Sequence, residues 1–263
     1  MKPPPSRLRR WAREYALPAG AIAGLVVLLQ FACEAARIPV WLLPAPVAIA
    51  RDTWAWADRI PANFWVTLIE VVGGFAVAVL VGIPIAIAIV YSPILRRITY
   101  PVLLVFQSVP KVALAPLFLI WVGYGLRSSI LVAAIVAFFP VVVNTATGLE
   151  SVEPELLQLT RSLQAGTLKV FWKVRLPWAL PHIFSGMKVA MSLAVIGAVV
   201  GEFVGADRGL GYLILTASSN MNTAIVFGIM IVLSVLGIAV FAAVCLAERL
   251  LCPWYLPSER EGE

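Results

Sequence analysis

The stretch SVEPELLQLTRSLQAGTLKVFWKVRLPWALPH, residues 151–182, is a polar island in an otherwise apolar chain. Of the 263 residues, 61% are hydrophobic and 13% are charged, which excludes an ordinary soluble domain. A bilayer span needs about 20 mostly apolar residues. Six runs qualify: residues 15–33, 66–90, 100–122, 129–148, 184–204 and 224–247. The sequence therefore predicts an all-α membrane protein with six transmembrane helices, with the island between the fourth and the fifth.

The island itself is predicted to form two short amphipathic helices. Leu156, Leu159 and Leu163 recur three and four residues apart, which places them on one helix face. Gly166 is expected to end this helix, and Thr167 to cap a second one. The second helix would carry three apolar side chains: Leu168, Phe171 and Trp172. Such faces fit a groove on a soluble partner, or, with the island's basic residues, the lipid surface.

The basic residues predict the orientation of the spans, because cytoplasmic loops carry an excess of lysine and arginine. They concentrate in three places: the tail at residues 1–14, the turn after the second span with Arg96 and Arg97, and the island. Both termini and the island are therefore expected to be cytoplasmic, which explains the net charge of +6 without a nucleic-acid role. A cleaved signal peptide would leave five spans and break this alternation, so the first span is expected to be retained.

The island resembles the signature loop of binding-protein-dependent ABC importer permeases, in which an E-A-A triplet is followed by glycine and then by I-x-L-P. Here Gln158, Leu159 and Thr160 occupy the triplet, Gln164 stands at the glycine, and the ending is Val174, Leu176 and Pro177. The segments at 107–125, 137–145 and 197–214 are similar to the nitrate, sulfonate, taurine and pyrimidine branch of these permeases. Because Gln164 replaces the glycine, Gly166 is expected to provide the turn.

The resemblance implies the transmembrane domain of a type I ABC importer, with a six-span permease at 15–250, a coupling loop at about 151–182 and a cytoplasmic tail at 251–263. It also implies the partners, which are ABC ATPase subunits, an extracytoplasmic solute-binding protein and a second copy of the permease in the bacterial inner membrane. The implied ATPase-docking residues are Gln158, Leu159, Thr160, Leu163, Gln164, Gly166, Phe171, Val174, Leu176 and Pro177.

Polar or small residues within the spans are the other candidate sites. Gly197, Gly201 and Gly205 recur every four residues in the fifth span, which predicts a close helix-packing face. Glu202 beside them should face protein, water or a partner, because its charge is costly at membrane depth. As it lies near the outer end of its helix, it could also reach the interface.

The third span combines Gln107 and Lys111 with two prolines, Pro110 and Pro116, in an otherwise apolar run. Each proline removes a backbone hydrogen bond, so this span is expected to kink or unwind and to line a polar path. Lys111 could also snorkel to the cytoplasmic surface or pair with Glu70 or Glu202. The tentative path residues are Gln107, Lys111, Asn144 and Glu202.

Catalysis by the chain is not expected. It has no G-x-x-x-x-G-K-[ST] phosphate loop and a single histidine, and its three cysteines have no metal-ligand spacing, so neither metal nor cofactor is predicted. The resemblance favours a permease for a pyrimidine-type thiamine precursor or riboflavin, with nitrate, sulfonate and taurine as alternatives. Two other classes remain open, an ion-gradient-driven secondary transporter and a membrane scaffold that recruits a soluble protein.

Overall fold

The computed structural model describes residues 17–254, and every regular element in that range is helical. Side chains at 17–19, 100, 103–104, 106–108 and 111–112 lie outside this description. The α-helices are α1 Leu17–Ala35, α2 Pro46–Ala55, α3 Ile60–Tyr91, α4 Pro93–Ser108, α5 Ala115–Val122, α6 Leu126–Glu150, α7 Pro154–Ser162, α8 Thr167–Val170, α9 Leu176–Gly205, α10 Leu210–Ser219 and α11 Thr223–Leu251. A 3-10 turn, Lys111–Leu114, precedes α5, and a π-helical segment, Phe171–Arg175, joins α8 to α9.

Four helical stretches are long and apolar enough to cross a membrane: α3, α6, the continuous run Thr167–Gly205, and α11. The span expected at 15–33 coincides with α1, whose apolar part at Gly20–Ala35 is shorter. The span expected at 100–122 is divided among α4, the 3-10 turn and α5. The division falls at Pro110, where a proline offers no backbone N–H. The count of six spans stays a prediction.

The described residues fall into two compact units. In the first, residues 17–60 and 214–232, Val47 N donates to Gln30 Oε1 at 3.1 Å, and Thr223 Oγ1 donates to the Trp41 carbonyl at 2.8 Å. These bonds fix the segment between α1 and α2 and the start of α11 within that unit. The second unit, residues 61–213 and 233–254, holds the three-helix bundle of α3, α6 and α9.

Helices α6 and α9 pack against each other in antiparallel register over most of their length. Cβ atoms built at glycines measure this approach: one at Gly201 would lie 2.6 Å from Ser129 Cα, and one at Gly197 would lie 2.7 Å from Ala133 Cα. Farther along, one at Gly148 would lie 2.6 Å from His182 Cβ. Side chains are therefore missing where the two backbones need the space.

Helix α3 lies against the same seam and runs parallel to α6. A Cβ built at Gly74 would meet Ala133 Cβ, and one at Gly82 would meet Val141 Cγ1 at 3.0 Å. The contacts advance by the same number of residues on both helices, which sets the parallel direction. Glu70 of α3 therefore lies at the level of the first turn of α6, close to the end of α9.

The fifth predicted span, residues 184–204, belongs to a helical stretch that begins much earlier, at Thr167. The structure has no separate second island helix: α8, the π-helical segment and α9 form one continuous helix from Thr167 to Gly205. The Leu-Pro ending does not interrupt this helix. Pro177 lies in the first turn of α9, directly after the wide π turn, which accommodates a residue without an N–H.

Gly201→Ala is expected to destabilise the second unit by roughly 1–3 kcal/mol, because the added methyl group would press on the backbone of Ser129. The matched control is Gly237→Ala in α11, where an added Cβ would meet nothing within 4 Å. Thermal unfolding of the purified protein in detergent measures the difference. Equal melting temperatures for the two variants would contradict the close α6–α9 seam.

Candidate functional site: the polar island and a buried carboxyl cluster

The turn after α7 is a helix C-terminus closed by two backbone bonds. Ala165 N donates to the Thr160 carbonyl at 3.0 Å, and Gln164 N donates to the Arg161 carbonyl at 2.9 Å. This is the Schellman pattern, in which the residue that donates the bond closing the shorter of the two loops, just past the helix end, adopts the left-handed backbone conformation. That residue is Gln164, with φ of 51°. The position at which the resemblance puts a glycine is thus the one where the backbone favours glycine.

Gly166 does not provide the turn, contrary to the sequence expectation. Its φ of −63° and ψ of 149° are extended values that any residue adopts, and it is the N-cap of α8. Thr167, expected as the cap, is the first helical residue. The expectation failed because a glycine was taken as the stop signal, while the hydrogen bonds to Thr160 and Arg161 set the turn two residues earlier.

The island presents a cluster of exposed apolar side chains, called here the apolar island face. Its members are Leu159 (55% exposed), Leu163 (72%), Leu168 (71%) and Trp172 (60%). Gln158, Gln164 and Gly166 are also exposed, and Thr160 is half-buried. The face comes from two helices that meet at the Gln164 turn.

Other predicted docking residues lie on the inner side of the island. Phe171 and Leu176 pack against a buried cluster of Leu149, Ala179 and Ile183, and Phe171 makes an edge contact with the Tyr91 ring at a centroid distance of 6.0 Å. Val174 and Pro177 are half-buried. Phe171, which was expected beside Trp172 on an exposed face, therefore turns toward the spans.

A small set of contacts ties this inner side to the ends of α3 and α6. The Arg175 guanidinium lies over the Tyr91 ring at 5.4 Å and donates to the Leu149 carbonyl at 3.4 Å. The latter bond satisfies one of the carbonyls left unpaired at the end of α6. Nearby, Arg96 pairs with Glu150 at 3.2 Å. The base of the island is thus joined to α3 and α6.

The two tentative path residues whose side chains the structure describes, Asn144 and Glu202, lie apart on α6 and α9. The side chains of Gln107 and Lys111 lie outside the described residues. Asn144 Nδ2 donates to the Pro140 carbonyl of its own helix at 2.9 Å, beside Gly186. Between α3, α4, α5 and α6 lies an apolar cavity of about 460 Å³, and neither Asn144 nor Glu202 lines it.

Glu202 holds the start of α10 together with side chains from α3. Three consecutive backbone N–H groups donate to side chains there. Gly209 N donates to Asn63 Oδ1 at 2.7 Å, Leu210 N to Thr67 Oγ1 at 2.8 Å, and Gly211 N to a Glu202 carboxylate oxygen. Helix starts leave such groups unpaired, and the helix dipole favours negative charge there.

Sequence reasoning missed Asn63, Thr67 and Glu70 as members of this cluster. Their spacing of four and three residues puts them on one face of α3, and that polar stripe at the start of an apolar helix was the available signal. Gly209, with φ of 114°, is the other sign, since a Cβ there would meet the Glu202 carboxyl. Among the described residues no group of three or more His, Cys, Asp or Glu side chains is placed to hold a metal ion.

Residues 78–251 match the family described as the binding-protein-dependent transport system inner membrane component. The chain belongs to this family. That match covers the three-helix bundle from the middle of α3, the island and nearly all of α11. The resemblance drawn from the island and its flanking segments is confirmed, and so is a multi-pass membrane protein.

Relatives of this permease agree with the branch inferred from sequence. It is 34% identical over 219 residues to the formylaminopyrimidine transport permease protein of Halalkalibacterium halodurans, covering 81% of this chain and 86% of the relative. It is 29% identical over 255 residues to the taurine transport system permease protein of Escherichia coli, covering 94% and 93%. Other relatives are named as riboflavin, aliphatic sulfonate and nitrate permeases.

The fold has a solved counterpart. A chain of the inward-facing MetNI methionine ABC transporter matches with a TM-score of 0.67 at 21% identity, covering 75% of this permease and 98% of that chain. At that identity the likeness concerns the fold alone, that of a type I ABC importer membrane domain.

Gln164→Val is expected to loosen the α7 turn, because a β-branched residue in the left-handed region costs roughly 1–2 kcal/mol. Gly166→Val is the matched control, since its extended backbone accepts any residue and a Cβ there would meet nothing within 4 Å. Hydrogen exchange across residues 156–166 should be about tenfold faster in the first variant and unchanged in the second. Gln164→Gly should exchange no faster than the parent. Equal acceleration in both Val variants would show that the turn lies elsewhere.

Proposed function

We propose that this chain forms the translocation path of an ATP-driven importer for a small solute, with the island as its docking site for an ATPase subunit. Family membership supports the permease role. The observation that carries the docking assignment is the apolar island face, whose four large side chains are solvent-exposed at the end of a membrane-spanning helix. A groove on a soluble protein covers such side chains in the helix-in-groove manner.

The same helix makes the island a lever. The run Thr167–Gly205 comprises 39 residues, which corresponds to roughly 58 Å at 1.5 Å per residue. Leu168 and Trp172 lie in its first two turns, and Glu202 lies in its last. A displacement imposed on the apolar island face by a closing ATPase pair would therefore pass along one helix to the opposite end of the span. This is a rigid-body switch biased by a ligand.

The proposed assembly contains two copies of the permease, two ATPase subunits and an extracytoplasmic binding protein. The family description, which includes dependence on a binding protein, supports the last of these. In this assembly ATP is hydrolysed by the separate subunits, and this chain supplies the path and the lever. Both termini and the island would be cytoplasmic, as the lysine and arginine distribution predicts. The tails that carry part of that signal, at residues 1–14 and beyond 254, lie outside the described residues.

The solute is proposed to be a pyrimidine-type thiamine precursor or riboflavin, with taurine, sulfonates and nitrate as the alternatives. The 34% identity to the formylaminopyrimidine permease supports this order, against 29% for the taurine permease. ATPase activity of the reconstituted complex with each solute-loaded binding protein separates these candidates. Stimulation by taurine or nitrate but by neither ring compound would reverse the order.

Replacing Leu168 by Asp is expected to reduce the amount of co-purified ATPase about tenfold, because a charge would be buried in a hydrophobic groove. Thr167→Asp is the matched control: it adds the same charge one residue earlier, removes no large apolar side chain and suits a helix N-terminus. Quantitative pull-down in mild detergent gives the ratio of ATPase to permease.

Two outcomes of this pull-down would contradict the docking assignment. Full retention of the ATPase by the Leu168→Asp variant would place the contact elsewhere. Recovery of the parent chain with a soluble protein that lacks ATPase activity would favour the scaffold alternative.

A further inference from the structure

The carboxyl cluster at the start of α10 contains a group that the helix cap does not use. Glu70 and Glu202 are both 1% exposed, and they lie on the adjacent helices α3 and α9. The neighbours of the Glu70 carboxyl are the Glu202 carboxyl and the Ser129 hydroxyl of α6. Two acidic side chains thus share one buried space at the level where three helices meet.

The hydrogen bonds divide the two carboxyls into different chemical roles. Glu202 is surrounded by donors, since it accepts from Gly211 N and from Thr67 Oγ1, the latter at 2.5 Å. Thr67 Oγ1 in turn accepts from Leu210 N, and of the two acceptors near its hydroxyl proton Glu202 is closer than the Asn63 carbonyl, which lies at 3.3 Å. Glu202 thus accepts hydrogen bonds from a helix start and from a hydroxyl. These are the partners that suit an ionised carboxylate, which only accepts.

Glu70 has the opposite surroundings. Both of its carboxyl oxygens are buried, and neither forms a hydrogen bond of normal geometry among the described residues, where the Ser129 hydroxyl is the one donor beside them. Within that part of the chain, the ion pairs of the second unit join Arg96 to Glu150 and Lys188 to Glu248, so neither involves this pair. An ionised carboxylate without donors or a counter-charge is very costly to bury. A protonated carboxyl needs an acceptor, and Glu202 is one.

We propose that Glu70 is protonated and donates a hydrogen bond to the ionised Glu202, and that this carboxyl pair is a lock that positions the start of α10, residues 210–213, against α3 and α9. The proton stays on Glu70 and the negative charge stays on Glu202, where it faces the N–H groups of the helix start. One such bond joins α3 directly to α9, in addition to the Thr67 bond. Glu70 and Glu202 are thus positioning residues.

The lock lies at the far end of the lever from the apolar island face. Its effect on transport rests on the proposed function: if the ATPase pair displaces the Thr167–Gly205 helix, the lock decides whether the start of α10 follows. Its protonation state does not depend on that function. The two claims can therefore fail separately.

Infrared difference spectroscopy of the purified permease in detergent at neutral pH tests the proton directly. The parent spectrum minus that of Glu70→Gln should contain the carbonyl band of a protonated carboxylic acid, which shifts in deuterated buffer. The corresponding difference for Glu202→Gln should contain carboxylate bands. Carboxylate bands in the Glu70 difference would show an ionised side chain and would overturn the proposal, whatever the transport results.

Substitutions separate the lock from packing. Glu70→Gln keeps a donor toward Glu202, so solute-stimulated ATPase activity should remain within about twofold of the parent. Glu70→Leu has a similar volume and no donor, so it should reduce that activity about tenfold, since the carboxylate loses a buried partner. Glu202→Gln should also reduce it about tenfold, because its amide N–H groups would face backbone donors.

A purely steric role predicts another pattern. In that case Leu and Gln at position 70 would behave alike, and Glu202→Gln would match the parent, which would overturn the positioning role. If the Glu202→Gln variant does not fold, the comparison at Glu70 and its infrared difference still decide the question. A confirmed acid band together with unaltered transport in all variants would support the protonation of Glu70. It would overturn the role of the carboxyl pair in transport.

Discussion

The close approach of α6 and α9 is the constraint on which the rest of the bundle depends. In hydrocarbon, two apolar helices gain no hydrophobic free energy by associating, so packing and hydrogen bonds hold them together. Glycine at 197 and 201 removes side chains where the backbone of α6 passes. The register of this seam puts Ser129 beside Gly201 and brings His182 to Gly148. The seam therefore fixes the position of the base of the island relative to the carboxyl cluster at the opposite end of the bundle.

The seam also explains why the base of the island needs side-chain contacts. Helix α9 continues beyond the bundle through the π-helical segment into α8, where the glycine seam no longer guides it. Arg175 bridges this gap by contacting Tyr91 of α3 and the last turn of α6. The wide π turn lets Pro177, which follows it directly, remain in the helix. The island is thereby an extension of the span, with its apolar side chains directed away from the bundle.

The sequence predicted the elements that depend on local pattern. The apolar runs located α3, α6, α9 and α11, and the leucine spacing located α7. The turn was placed wrongly because Gly166 was taken as the local stop signal. In the structure, hydrogen bonds select Gln164 for the left-handed position, and a π turn absorbs Pro177. Neither outcome is encoded by a single residue type.

The carboxyl cluster shows a different limit of local reasoning. Glu202 was identified from the cost of a charge at membrane depth, but Thr67, which donates to it, lies 135 residues away in sequence. Only the parallel packing of α3 beside α6 brings Asn63 and Thr67 to the start of α10. Their spacing on α3 was visible, yet without the register of the bundle it gave no partner for them.

A helix that begins inside a membrane protein must have its first N–H groups satisfied by protein, because no water is present to do so. Neutral acceptors suffice for two of them, the amide oxygen of Asn63 and the hydroxyl oxygen of Thr67. A carboxylate satisfies the third N–H group, and its negative charge interacts favourably with the positive end of the helix dipole. Its remaining oxygen capacity then requires further donors, since an unsatisfied buried charge is costly. The hydroxyl of Thr67 is one donor, and a protonated Glu70 would be a second, so the presence of two acids in one apolar site follows from the needs of a single helix start.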